Sequence, residues 1–214
     1  MSAYTWPPES SASPSIKPGR AEPVPAAVLV PIYRTGGASH LVLTRRRSDL
    51  RRHAGEISFP GGRRDPSDRS LEATALREAE EEIGLPPERV ELIGALPPTS
   101  TFATGYQIHP FVGTIPAGVA WRLSPREVDS VLELPLAEIR AGRTVTRLQR
   151  RGINFLTDAY VVSDHLIWGA TARIIEHLLG RLDDTGEQPR LLDGENRSAP
   201  TLLGQPSPAG EETA

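Results

Sequence analysis

Cysteine does not occur in the 214 residues, which removes disulfide staples, thiolate zinc sites and cysteine nucleophiles. No run of 18 or more apolar residues occurs either, and the amino terminus carries Pro, Ser and Glu where a signal peptide needs an apolar stretch. The expectation is a soluble, cytoplasmic chain with no membrane partner. A basic excess is also missing: the formal charge is −3 and the pI is near 6.0, which argues against a nucleic-acid partner. Lysine is almost absent, Lys17 being the only one. Nearly all positive charge is therefore arginine, a compositional bias that leaves arginine positions, not arginine numbers, as the informative quantity.

The length fits one domain with tails. Residues 1–23 and 183–214 are rich in Pro, Ser and other polar residues and are predicted to be disordered arms around a folded domain over 24–182. Within it, "AAVLVPIY" and "HLVLTRR" flank the turn-rich "RTGGAS" and predict a hairpin, and "EISF" predicts a short strand ending at Pro60-Gly61-Gly62. "RVELIGAL" and "YQIHPFVGTI" also predict strands. "SPREVDSVLELPLAEIRAG" has the opening and the apolar spacing of two short helices, and "DHLIWGATARIIEHLLGRL" reads as one long helix with Ile167, Ala170, Ile174, Ile175 and Leu178 on a stripe. Strands broken by helices in this order predict an α/β fold, a mixed sheet with helices on its faces.

The segment "GGRRDPSDRSLEATALREAEEEIGL" stands apart. Pro66, Asp68 and Ser70 can open a helix, Gly84 can close it, and Pro86-Pro87 forbid its continuation, so a helix over 70–83 is predicted. At about 100° per residue, with Glu78 at zero, Glu82 falls near +40° and Glu81 near −60°, while Ala75, Leu76, Ala79 and Ile83 cover about 60° to 160°. Three carboxylates thus share one edge beside an apolar stripe, and Glu80 points elsewhere. A solvated acidic face would account for glutamates alone. These, however, sit in the last turn, where the helix dipole disfavours anions, and follow paired glycines that permit close backbone approach. Hard oxygen ligands so placed suit Mg²⁺ or Mn²⁺ and a phosphate-bearing substrate.

Gly62 followed by Arg77-Glu78-Ala79-x-Glu81-Glu82-x-Gly84-Leu85 resembles the Nudix box, G-x(5)-E-x(7)-R-E-U-x-E-E-x-G-U. The chain departs from it where Asp68 replaces the first acid and eight residues, not seven, separate that position from Arg77. The resemblance implies a Nudix-type α/β/α sandwich. It also implies hydrolysis of a diphosphate linkage with metal ions on Glu78 and Glu82, Glu81 acting as a further ligand or as the activator of water. Arg77 would pair with and orient a glutamate of the cluster. Glu127 is a candidate second-sphere or general-base carboxylate, its alternative being a helix surface or cap.

The stretch "LTRRRSDLRRHAGEISFPGG" resembles the coenzyme A pyrophosphatase branch of that family, through Leu43, Thr44, Arg46, Arg51, Gly55 and Phe59 to Gly62. Arg47 departs from it, standing where that branch has a small residue. "LPPTSTFATGYQIHPFVG" and "IWGATARII" are similar to the same branch. The implied substrate is coenzyme A or its thioesters, giving 3′,5′-ADP and a 4′-phosphopantetheine fragment. Arg46 and Arg51 are the candidate phosphate contacts, and Gly61 and Gly62 would admit the phosphate-bearing loop. His53, Tyr106 and Phe155 are weighed as substrate contacts against ordinary loop and core roles. A Nudix hydrolase of ADP-ribose or another nucleoside diphosphate derivative, a non-catalytic nucleotide sensor and a plain interaction module are the rivals. The oligomeric state is left open, a homodimer included.

Overall fold

A computed structural model describes residues 23–47, 49, 55–101, 105–150 and 152–184. Its strands are β1 (Val24–Thr35), β2 (Ala38–Arg46), β3 (Ile57–Ser58) and β4 (Gly61–Arg63), then helix α1 (Leu71–Ile83), then β5 (Glu91–Ala95), β6 (Thr99–Ser100), β7 (Tyr106–Thr114) and β8 (Val128–Pro135). Helix α2 (Leu136–Ala141) leads into β9 (Arg143–Arg150), β10 (Ile153–Val162), β11 (His165–Trp168) and helix α3 (Gly169–Asp184). The arms expected at 1–23 and 183–214 lie almost wholly outside the described residues.

The first eight strands form one sheet in the order β3-β2-β1-β7-β5, with β4 beside β1, β6 beside β7 and β8 beside β2. The β1–β7 pair is parallel and the other pairs are antiparallel, so the sheet is mixed, as expected. A second, three-stranded sheet runs β11-β10-β9.

The run in β1 is apolar without a break because both faces of the strand are covered. Val28, Val30 and Ile32 join Ile174, Ile175 and Leu178 of α3 in one core, while Ala27 and Leu29 join Ala75, Ala79 and Ile83 of α1 in the other. Helix, sheet and helix make the α/β/α sandwich.

Three local expectations are corrected. Residues 128–135 are strand, not helix: Val128, Val131 and Leu134 recur every three residues, but antiparallel pairing with β2 from His40 to Arg46 decides the conformation, and only Leu136–Ala141 is helical. The late helix starts at Gly169, since His165–Trp168 pair with β10. The hairpin of β9 and β10 was not foreseen, because its strands alternate polar residues on both faces.

Candidate active site

Helix α1 begins and ends on local signals. Ser70 is its N-cap, its hydroxyl accepting from the Ala73 N–H at 3.2 Å, and Gly84 ends it in the left-handed region at φ 68°, its N–H bonded to the Glu80 carbonyl at 2.9 Å. No basic residue sits in the last turn, and on the helix itself Arg77 answers Glu78 and Glu81. Burial of Ala75, Ala79 and Ile83 against the sheet turns Glu78 and Glu82 towards β4.

The two glycines of β4 make that approach possible. A Cβ on Gly62 would lie 2.5 Å from the Glu78 carboxylate, and one on Gly61 would collide with the Ala27 carbonyl. The Gly61 N–H donates to Glu82 Oε2 at 3.2 Å. Glu82 is only 6% exposed, and burial, with Glu78 and Glu127 nearby, pushes its carboxyl up to about 8 despite the Gly61 bond and Arg46. Glu78 is also raised, chiefly by burial, against the pull of Arg77. A buried carboxylate answered by one amide is an unbalanced acceptor.

Asp68, the departure in the sequence motif, has a definite place. It is buried and receives Arg77 Nε and Nη2 at 2.9 and 3.1 Å, the Thr74 hydroxyl at 2.8 Å and the Asp65 N–H at 2.9 Å. These bonds, the Arg77 pair foremost, hold its carboxyl well below the usual carboxylate range. Arg77 is raised in turn, chiefly by Asp68. The same guanidinium reaches Glu78 Oε1 at 2.9 Å, Glu81 Oε2 at 3.0 Å and the Arg63 carbonyl at 3.4 Å. The extra residue before Arg77 is thus absorbed by a shorter acid on a loop folded back over the helix. Arg77 thus pairs with both Glu78 and Glu81, and Asp68 holds it in place.

The opposite wall comes from the end of β2 and the turn before β8. Arg46 Nη2 lies 3.8 Å from Glu127 Oε2, and Arg46 Nε is buried without a hydrogen-bond partner. Glu127 sits in a turn, not on a helix, and bears electrostatically on both Glu78 and Glu82. Arg47 turns to Asp49 and to the Pro125 carbonyl.

The structure therefore brings together Glu78, Glu82, Arg46, Glu127, Gly61 and Gly62. Glu81 faces outward, 59% exposed, in its pair with Arg77. Among the described residues no three His, Asp or Glu side chains form a ready-made metal cluster, so Glu78, Glu81 and Glu82 are not drawn into one. The donor set still fits a divalent cation, since Glu82 and Glu78 offer hard carboxylate oxygens and, among the described residues, no cationic side chain is bonded to Glu82. Arg51 and His53 lie outside the described residues. Tyr106 is half-buried at the start of β7, and Phe155 packs on Trp168 with ring centres 6.3 Å apart. Thr74, fully buried beneath Asp68, was missed; a threonine among helix alanines was its only signal.

The NUDIX domain family model matches residues 23–152. The uncharacterized Nudix hydrolase NudL of Citrobacter koseri is 46% identical over 155 residues, 72% of this chain and 80% of that protein. Its namesake in Cronobacter sakazakii is 45% identical over 166 residues, 77% of this chain and 84% of that protein. Among solved structures, a MutT/nudix family protein from Enterococcus faecalis superposes with a TM-score of 0.54 at 17% identity, over 79% of this chain and 66% of that one. The NUDIX domain of Shewanella oneidensis NrtR, solved with ADP ribose, gives 0.50 at 18% identity, over 78% and 94%. These structures are similar in fold.

Proposed function

Since the chain belongs to the Nudix family, by a domain match over residues 23–152 and a relative 46% identical, we propose that it hydrolyses the diphosphate linkage of coenzyme A or its derivatives. The products are 3′,5′-ADP and the 4′-phosphopantetheine fragment, acylated when the substrate is. The observation that carries this reading is Arg46. It belongs to the segment 43–62, its Nε is buried without a partner, and it stands beside Glu127 and the buried Glu82.

Glu82 and Glu78 would hold a Mg²⁺ or Mn²⁺ ion, with Glu81 available to join them. Such an ion would supply positive charge against the diphosphate and make water easier to deprotonate. The remaining work falls to the chain. Arg46 binds a phosphate oxygen with the donors that Glu127 leaves unused. Glu127, freed from Arg46 by the arriving phosphate, accepts a proton from the attacking water. The water oxygen bonds to one phosphorus, the bridging P–O bond breaks, and the second phosphate leaves with the electron pair. Arg77 stays bound to Asp68 and keeps Glu78 turned towards β4, while Gly61 and Gly62 let the helix end and the substrate share the same space. Glu78, Glu81 and Glu82 are all present, which favours hydrolysis over a sensor that binds nucleotide without cutting it.

The test is chromatographic product analysis of the purified protein with coenzyme A and, separately, ADP-ribose, each with Mg²⁺, Mn²⁺ or EDTA. Metal-dependent release of 3′,5′-ADP from coenzyme A is expected. Cleavage of ADP-ribose alone keeps the carboxylates in their roles and removes the coenzyme A assignment; cleavage of neither favours a sensor.

A further inference from the structure

Arg47 ties the loop that carries Glu127 to the end of β2. Its Nε and Nη2 donate to the two carboxylate oxygens of Asp49 at 2.9 and 2.7 Å, and its Nη1 donates to the Pro125 carbonyl at 2.7 Å. Its backbone N–H donates to the Glu127 carbonyl at 3.1 Å. The same turn is anchored from the other side. The Ser124 N–H donates to the Glu82 carbonyl at 2.8 Å, and the Ser124 carbonyl accepts from the N–H groups of Glu127 and Val128 at 3.1 and 3.0 Å. Five residues, 124 to 128, therefore span from the last turn of α1 to the last residue of β2, and Glu127 is the one whose carboxylate lies 3.8 Å from Arg46.

We infer that Arg47 is a positioning residue for Glu127, a brace that fixes the Pro125 carbonyl and so the angle at which Glu127 faces Glu78, Glu82 and Arg46. The inference rests on the proton-accepting role given to Glu127 above. As an ion pair, Arg47 with Asp49 is exposed and worth little to stability. As a brace it fixes geometry: the planar guanidinium holds Asp49 with one edge and Pro125 with the other, a span that a lysine ammonium does not reproduce. Displacing a reacting group by about 1 Å can cost 10²-fold in rate, so a loop contact with negligible effect on folding can still be large in turnover.

The experiment measures kcat and KM on coenzyme A, or on ADP-ribose should that be the substrate cleaved, for wild type, R47M, E127Q and the double variant. Methionine keeps the aliphatic stem and removes the donors, and melting temperatures check that each variant is folded. R47M is expected to lower kcat about tenfold with KM within twofold, and to cause no further loss in the E127Q background. Wild-type kcat in R47M overturns the inference. So does the same tenfold loss repeated in the E127Q background, or a loss expressed wholly in KM, which would make Arg47 a substrate contact. Wild-type kcat in E127Q instead removes the role of Glu127 on which the brace depends.

Discussion

The two walls of the site are built by opposite means. The acid wall, at the end of α1, is buried and locked within a stretch of about twenty residues: Asp68, Thr74, Arg77 and Glu78 hold one another, Glu82 is bound by the Gly61 N–H, and Glu78 leans on Gly62. The loop wall, Arg46, Arg47 and Glu127, is more exposed and is assembled by contacts that cross the chain, Arg47 reaching Pro125 78 residues away. Buried polar networks resist rearrangement because an unpaired member is costly in a low dielectric, whereas exposed contacts give way cheaply. On the proposed function the difference is a division of labour, a buried wall for the cation and a more exposed wall, braced by tertiary contacts, for the substrate.

The comparison can be broken most forcefully at Glu82. E82Q is expected to lower kcat by about 10² or more, comparable to losing a principal electrostatic stabiliser, while the protein stays folded because a neutral amide suits that buried position. Near-normal turnover in folded E82Q removes the acid wall from the chemistry. At Asp68 the effect moves to stability. D68N is expected to cost about 2 to 3 kcal/mol at neutral pH, the scale of hydrogen bonds to a charged group, read from denaturant unfolding. Because the folded Asp68 carboxyl is depressed, its contribution is fully present above the unfolded value of about 3.9 and is lost as pH falls towards the folded value. The gap between wild type and D68N therefore narrows below about pH 4; a constant gap from pH 7 to pH 3 would show that the charge of Asp68 does not matter.

Smaller effects sharpen the same contrast. G62A places a methyl against the Glu78 carboxylate and is expected to lower kcat about tenfold through displacement of that group; unchanged kinetics would mean that Glu78 moves without consequence. Far from both walls, R140M removes an exposed pair with Asp183 and should change stability by less than about 1 kcal/mol and leave turnover alone. A larger loss would show that surface contacts count for more here than the comparison allows.

How much of this was legible in the sequence follows the same division. The caps Ser70 and Gly84 and the buried alanines of α1 are local and periodic and are where the spacing placed them, whereas of the glutamate edge Glu81 faces outward. The hairpin of β1 and β2 is read from two apolar runs around a turn, and it pairs so. The segment 128–135 was misread because its i, i+3 valines and leucine match a helical stripe, and only pairing with the neighbouring β2 makes it a strand. Asp68 was visible as a departure, but its partner Thr74 and its hold on Arg77 depend on how the loop folds back. Arg47 appeared only as an oddity, because Pro125 has no sequence relation to it. Local order is written in local sequence; the loop wall is a tertiary product.

The most direct measurement is Mn²⁺ binding followed by electron paramagnetic resonance in wild type, E82Q and R46M, without substrate. The account predicts saturable binding in wild type, its loss or severe weakening in E82Q, and wild-type binding in R46M, whose defect should appear only as a raised KM once substrate is added. Equal Mn²⁺ affinity in wild type and E82Q would contradict the central claim that the buried carboxylates of α1 exist to hold a cation.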